Sequence, residues 1–113
     1  MADNCLFCRI VSGEIPSTQV AQSDTAIAFR DVNPQAPTHV LVIPRAHVAS
    51  LASASDSAML GDLLSFAATV ARSEGLEQDG YRVVANTGSN GGQTVDHLHL
   101  HVLGGRRMTW PPG

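Results

Sequence analysis

A stretch in which histidines alternate with apolar side chains, residues 97–103, constrains the fold of this 113-residue chain more than any other feature. Side chains of successive β-strand residues point to opposite faces of a sheet. A strand over 97–103 therefore places His97, His99 and His101 on one face and directs the apolar residues between them into the core. A single histidine on a strand is ordinary, but crowded imidazoles repel one another when protonated. Polar groups that contradict the local pattern tend to mark functional sites, so this strand is the first candidate.

Hydrophobic periodicity predicts two helices and a run of strands in the rest of the chain. Residues 5–12 carry apolar side chains at helical spacing, and residues 56–74 form the one long helix, capped by Ser55 or Asp56 and ended by Gly75. Strands are predicted over 25–29, 39–44, 81–86 and 97–103, with a proline-punctuated turn over 31–37. Strands in runs around one long helix indicate an α+β domain with a mostly antiparallel sheet.

Composition excludes several classes of protein. The length suits a single domain, 1–113. The net charge is -3, lysine is absent, and the seven arginines are scattered, which argues against a nucleic-acid-binding protein. No apolar stretch is long enough to span a bilayer. The N-terminus carries Asp3 where a signal peptide would carry basic residues, so we expect a cytoplasmic protein without nucleic-acid or membrane partners.

The histidine pattern suits attack on phosphorus near neutral pH, since imidazole with its reference pKa of about 6.5 is then largely unprotonated. One ring nitrogen attacks while the other, as N–H, fixes the tautomer, and a neighbouring histidine protonates the leaving group. His99, between the other two, is the candidate nucleophile. The glycine-rich segment 86–95 leads into this strand and could place backbone N–H groups, Gln93 and Thr94 beside a phosphate, although a flexible hairpin is the simpler interpretation.

Two cysteines, Cys5 and Cys8, form one Cys-x-x-Cys motif. A structural disulfide is not expected in a reducing compartment. Together with two distant histidines the pair could bind zinc tetrahedrally. Two small buried residues and a redox pair are the alternatives that the spacing leaves open.

Longer motifs resemble the histidine triad (HIT) superfamily. They are Gly-Gly-Gln-Thr before His-Leu-His-Leu-His-Val-Leu, Phe-Arg-Asp-Val-Asn-Pro-Gln-Ala-Pro-Thr-His over 29–39, Val-Ile-Pro-Arg-Ala-His over 42–47, and the ending Trp-Pro-Pro-Gly. The Pro-Gln-Ala-Pro-Thr-His segment and the ending are similar to the Hint branch, the purine nucleoside phosphoramidases. The resemblance implies a sheet of about five strands with one long and one short N-terminal helix. It also implies hydrolysis of purine nucleoside 5'-phosphoramidates through a covalent nucleotidyl-histidine. The alternatives are a dinucleoside polyphosphate hydrolase or nucleotidylyl transferase, and a nucleotide-binding interaction protein with little catalysis.

The resemblance also assigns site residues by position. It makes His99 the nucleophile, His101 the contact to the phosphate and leaving group, and His39 a fourth histidine that supports them. Asp31 matches the carboxylate that holds the ribose. The implied phosphate contacts are Asn86, Gly92, Gln93 and Thr94. The implied apolar walls around the purine are Leu6, Phe7, Ile10, Phe29, Val32 and Leu41.

The same resemblance implies a metal site and an oligomeric state. Some family members hold a structural zinc, whose ligands here would be Cys5, Cys8, His47 and His97. No organic cofactor is implied. The family is homodimeric, with the C-terminal segment reaching toward the partner's site.

Overall fold

The computed structural model describes residues 4–113, so Asp3 lies outside the described residues. The described part of the chain contains helices α1 (Leu6–Val11) and α2 (Ser57–Ser73), and a short 3₁₀ turn (Leu51–Ser53). Its strands are β1 (Gln19–Gln22), β2 (Ala26–Arg30), β3 (Thr38–Pro44), β4 (Tyr81–Val84) and β5 (Leu100–Gly104). The predicted α+β architecture, with an antiparallel five-stranded sheet, a long helix and a short N-terminal one, is confirmed.

The strand order β1-β2-β3-β5-β4 puts β3 and β5 side by side at the centre of the sheet. Their antiparallel register pairs Leu41 with His101 and His39 with Leu103. His39 and His101 are therefore diagonal neighbours on one face, within reach of each other's side chains. This register brings together two histidines that are 62 positions apart in sequence.

The long helix α2 covers one face of the sheet. Asp56 begins it as the N-cap, accepting hydrogen bonds from the Ala58 and Met59 amides, and Gly75 follows its end with φ +75°. Its buried face packs on inward-facing apolar residues of β2, β3 and β5 and of the segment before β5. The core on this side comprises Ala26, Ala28, Val40, Val42, Leu63, Ala67, Val70, Ala71, Leu76, Leu98, Leu100 and Val102.

The short helix α1 covers only part of the opposite face. Phe7 and Cys8 are its buried residues, and they pack with Ile27, Phe29 and Ile43. A six-residue helix cannot cover a sheet of this width, so part of the face stays open. The three histidines lie on this partly covered face. No helix in the described range 4–113 is long and apolar enough to cross a membrane.

The strand predicted over 97–103 begins only at Leu100, so the prediction was wrong for His97 and His99. Before β5 the backbone makes other bonds. The Leu98 amide donates to Val48 O at 2.6 Å, and the His97 carbonyl accepts from a side chain instead of a neighbouring strand. The alternation of faces nevertheless persists, because Leu98 packs under α2 while the histidines face away from it.

The prediction omitted strand β1. Its sequence, Gln-Val-Ala-Gln, has little β propensity, and its register with β2 shifts between Gln19 and Ala21. An edge strand of this kind forms because β2 offers it a hydrogen-bonding edge, which is tertiary context that no local pattern reveals. The strand predicted over 81–86 ends at Val84, which leaves Asn86 in the loop.

Candidate active site

A cavity of about 700 Å³ opens on the face that α1 only partly covers. This volume falls in the range of small-molecule sites. All six residues predicted as apolar walls line it: Leu6, Phe7, Ile10, Phe29, Val32 and Leu41. Its polar lining includes Asp31, Thr94, His99 and His101. An apolar cavity with a few convergent polar groups is the usual form of a ligand site.

His99 is buried, and its ring is oriented by one strong contact. Nδ1 donates a hydrogen bond to the His97 carbonyl oxygen at 2.7 Å. The Phe7 ring meets the His99 ring edge-on, with centroids 5.1 Å apart and planes at 89°. Because Nδ1 carries the proton, Nε2 of the neutral ring carries a lone pair. His99 therefore presents a nucleophilic nitrogen in a fixed tautomer.

His101 and His39 form a hydrogen-bonded pair. His39 Nε2 lies 2.8 Å from His101 Nδ1, and the Gln35 amide donates to His39 Nδ1 at 3.0 Å. Since His39 Nδ1 accepts, the His39 proton lies on Nε2 and is donated to His101 Nδ1. The proton of neutral His101 must then lie on its Nε2. The pair thus keeps a donor on His101, 5.1 Å between ring centroids from His99.

Burial keeps this pair neutral near pH 7. It lowers the pKa of His101 to about 4, with His99 and His39 adding to the shift and Asp31 opposing it. Burial likewise lowers the pKa of His39, again against the pull of Asp31. A neutral His101 can donate from Nε2 without placing a positive charge beside His99.

Asp31 follows directly after β2 and lies at the rim of the pair. Its Oδ1 accepts from the Asn33 amide at 2.8 Å, and its Oδ2 lies 3.4 Å from His39 Nε2. A carboxylate has about four lone-pair sites, so Asp31 can still accept hydrogen bonds from a ligand in the cavity.

The loop 86–95 is held in shape by its own side chains. Asn86 Nδ2 donates to the Gly91 carbonyl at 2.6 Å. Gln93 Oε1 accepts from the Gly88 amide at 3.0 Å, while its Nε2 donates to the carbonyls of Ala49 at 2.8 Å and Val95 at 3.0 Å. Glycine is required at 91, where a Cβ would lie 2.3 Å from the Thr87 carbonyl oxygen.

Of the four predicted phosphate contacts, only Thr94 lines the cavity. Asn86, Gly92 and Gln93 do not, and the structure shows the two side chains bracing the loop. Their contact with phosphate stays a prediction. Six residues that line the cavity were not predicted from the sequence: Ile15, Pro16, Ser17, Thr18, Arg30 and Val95. The first four lie between α1 and β1 without periodicity, so no local pattern distinguishes them from an ordinary connection.

A second cluster lies beside the first and contains the four predicted metal ligands. Cys5 Sγ and Cys8 Sγ lie 3.3 and 3.5 Å from His97 Nδ1, and Cys8 Sγ lies 3.3 Å from His47 Nδ1. All four ligand atoms lie within 4.8 Å of one another. With zinc bonds of about 2.0 Å to nitrogen and 2.3 Å to sulfur, tetrahedral ligands are separated by roughly 3.5 Å. The cluster therefore permits zinc.

The surroundings of His97 also fit a metal ligand. Its Nε2 donates to the Pro44 carbonyl at 2.9 Å, which leaves Nδ1 free of a proton and aimed at the two sulfurs. Metal-bound histidines commonly hold their other nitrogen in this way. Burial also lowers the pKa of His97, which favours the neutral form that a metal requires. Four protein ligands would close the site, so a bound zinc would be structural and would tie α1 to the segment before β5.

Comparison with known proteins agrees with this geometry. The HIT domain family matches residues 12–108. The 14 kDa zinc-binding protein of Zea mays is 53% identical over 112 residues, covering 96% of this chain and 87% of that protein. The purine nucleoside phosphoramidase of Escherichia coli strain K12 is 46% identical over 110 residues, covering 96% and 92% respectively.

Solved structures give the same result. The crystal structure of a HIT family hydrolase from Legionella pneumophila Philadelphia 1 superposes with a TM-score of 0.95 at 54% identity, covering 97% of this chain and 100% of that chain. The chain belongs to the HIT family, as the resemblance indicated, and these relatives support a hydrolase of that family.

Proposed function

We propose that the chain hydrolyses the phosphorus–nitrogen bond of purine nucleoside 5'-phosphoramidates through a nucleotide bound covalently to His99. The observation that carries this proposal is the 2.7 Å bond from His99 Nδ1 to the His97 carbonyl, beside a histidine pair that keeps a proton on His101 Nε2. The phosphoramidase named among the relatives supports the same bond as the target.

The apolar and polar residues that line the cavity suit different parts of such a substrate. Its apolar walls suit the faces of a purine, and Phe7 and Phe29, 5.5 Å apart between ring centroids, supply aromatic surface there. Asp31 accepts hydrogen bonds from the ribose hydroxyls. Thr94 and the backbone of the braced loop receive the phosphate beside His99.

The first chemical step forms a bond between His99 Nε2 and phosphorus. The bond from phosphorus to the leaving nitrogen breaks, and that nitrogen takes the proton from His101 Nε2 to depart as an amine. His101, which was neutral, is left as an imidazolate, and the hydrogen bond that His39 Nε2 donates to its Nδ1 stabilises that negative charge until the second step returns a proton. The His99 ring, now bonded to phosphorus and still protonated on Nδ1, is cationic, and the His97 carbonyl offsets that charge.

The second step consumes water. Its oxygen bonds to phosphorus, the bond to His99 Nε2 breaks, and one proton of the water returns to His101 Nε2. The nucleoside monophosphate keeps the other proton, so both histidines are restored. The same two residues serve both steps, with His101 acting first as acid and then as base.

Substrate comparison tests the proposal. We expect turnover of adenosine 5'-phosphoramidate at a kcat/KM at least about tenfold above that for diadenosine tetraphosphate, since only the former has the nitrogen leaving group. The reverse order would assign the chain to dinucleoside polyphosphate hydrolysis. Nucleotide binding without turnover of either compound would indicate a binding protein and would overturn the proposal.

Three further properties belong to this proposal. Zinc is expected in the cluster of Cys5, Cys8, His47 and His97. Both cysteines are buried and not joined by a disulfide, which supports a reducing, cytoplasmic location. A homodimer is supported by β4, an edge strand that exposes Tyr81 and Val83, and by Trp110 near the C-terminus, whose side chain is 83% exposed.

A further inference from the structure

The loop between β2 and β3 reaches the histidine pair through its backbone. The Gln35 amide donates to His39 Nδ1 at 3.0 Å. On the other side of the same residue, the Gln35 carbonyl oxygen accepts two hydrogen bonds from Arg106, from Nε at 3.2 Å and from the second guanidinium nitrogen at 3.0 Å. Gln35 is thus held between an arginine beyond the end of β5 and a histidine of the pair.

The position of Arg106 is built into the turn after β5. Gly105 adopts φ +89°, and a Cβ there would lie 2.8 Å from Cβ of Pro37. Only glycine allows this turn to pack so closely on the 31–37 segment. That close packing places the planar Arg106 guanidinium beside the Gln35 carbonyl, so that two of its N–H groups can donate to the same oxygen.

The Gln35 amide limits how many protons the pair can hold. The 2.8 Å gap between His39 Nε2 and His101 Nδ1 has room for one proton, and a second lies on His101 Nε2. A third could go only to His39 Nδ1, where it would face the amide proton of Gln35. The hydrogen bond from Gln35 therefore favours the neutral pair over the cation.

We propose that the Gln35 peptide, held by Arg106, is a positioning element that fixes the His39–His101 pair in its two-proton state with the exchangeable proton on His101 Nε2. This inference deepens the proposed function, because that proton is the one the leaving nitrogen takes. The charged and titratable groups facing the pair are Asp31 after β2, which favours protonation, and His99 before β5, which opposes it.

Nuclear magnetic resonance of the histidine ring nitrogens tests the proposal without any substrate. In the unsubstituted protein we expect His39 and His101 both to carry the proton on Nε2. Gln35→Pro removes the amide N–H, so His39 Nδ1 becomes free to take a proton, and the titration midpoint of the pair should rise by about one pH unit, tenfold in proton concentration. Gln35→Ala keeps the amide and should keep the tautomer of the unsubstituted protein.

Substitutions at Arg106 test the support of the peptide. Arg106→Gln should also raise the titration midpoint of the His39–His101 pair, by about half a pH unit or threefold in proton concentration. The effect is smaller because the Gln35 amide is still present and only less firmly held. Loss of the positive charge alone also favours protonation, so Arg107→Gln, which removes the same charge from the exposed neighbouring side chain, is the matched control. Arg106→Lys keeps the positive charge but lacks the planar guanidinium. Its titration midpoint should therefore fall between those of Arg106→Gln and the unsubstituted protein.

The outcomes separate clearly. A folded Gln35→Pro or Arg106→Gln protein with unchanged tautomer and midpoint would overturn the proposal, and so would an Arg107→Gln shift as large as that of Arg106→Gln. If Gln35→Pro does not fold, the Arg106 series decides alone. Because these measurements use the protein without substrate, a wrong substrate class would leave their results unaffected.

Discussion

Nδ1 of His99 and the carbonyl oxygen of His97 are joined by a 2.7 Å hydrogen bond. The two residues also connect the two clusters of this protein, because the His97 side chain lies among the cysteines while its carbonyl holds the ring of His99, the proposed nucleophile. The proposed metal site and the proposed nucleophile thus both depend on His97, but on different atoms of it. Since the carbonyl belongs to the backbone, the orientation of His99 depends on the fold and not on the His97 imidazole.

His99→Ala should reduce turnover of the phosphoramidate by at least about 10⁴-fold, because it removes the nitrogen that we propose attacks phosphorus. Binding of the nucleoside monophosphate should change little, since the purine walls, Asp31 and Thr94 remain. Steady-state kinetics and calorimetric titration measure the two effects separately. A variant with turnover near that of the unsubstituted protein would show that another group attacks phosphorus.

Asp31→Asn should narrow the preference for ribonucleotides over 2'-deoxyribonucleotides by roughly tenfold in kcat/KM. A carboxylate accepts two hydroxyl hydrogen bonds, whereas an amide supplies one oxygen and places a donor where an acceptor is needed. Parallel assays with the two sugars measure the change. Equal discrimination before and after the substitution would mean that Asp31 does not contact the ribose.

The sequence predicted which side chains lie around the cavity better than it predicted which backbone groups contact them. His99, His101 and Asp31 stand in motifs whose chemistry is visible in the letters, and all three line one cavity. The holding of the His101 tautomer by the Gln35 amide was not predictable, because a backbone N–H is present at nearly every position. The bracing role of Gln93 and the late start of β5 likewise depend on contacts with residues near 48 and 49, which only the fold brings close.

Purified protein should contain about one zinc per chain, following the four-ligand rule, if the cysteine–histidine cluster binds it. The double substitution Cys5→Ser and Cys8→Ser should then lower the melting temperature, because metal binding at a closed site contributes directly to folding. Turnover per folded molecule should fall much less, since the His97 carbonyl and the His39–His101 pair are retained.

Elemental analysis and thermal unfolding measure these two effects. Metal-free protein with an undiminished melting temperature would assign both cysteines to ordinary core packing. A chelator that stops turnover without loosening the fold would assign the metal to catalysis instead.

Stability should fall as the pH drops from about 6.5 toward 4, because His101 has a folded-state pKa of about 4 against an unfolded value of 6.5. Between these pH values the unfolded chain binds more protons than the folded one. The stabilisation of the folded state by neutral His101 is therefore complete above about pH 6.5 and is lost as the pH approaches 4. For a partly buried group this amounts to about 2 kcal/mol.

The variant His101→Asn isolates this contribution, since the other histidines still titrate in it. Denaturant unfolding at pH 7 and pH 4.5 should show a smaller loss of unfolding free energy for the variant than for the unsubstituted protein. Parallel losses in the two proteins would contradict the assignment of the low pKa to His101.

A trapped intermediate tests the central claim most directly. Rapid acid-free quenching during turnover of adenosine 5'-phosphoramidate, followed by mass spectrometry of proteolytic fragments, should find adenylate on the peptide that contains residues 97–103. Phosphorus–nitrogen coupling in labelled protein should place it on Nε2 of His99, since Nδ1 is committed to the His97 carbonyl. An adenylate on His101, on His39 or on Nδ1 of His99 would contradict the account, as would turnover that accumulates no covalent species under conditions where its breakdown is slowed.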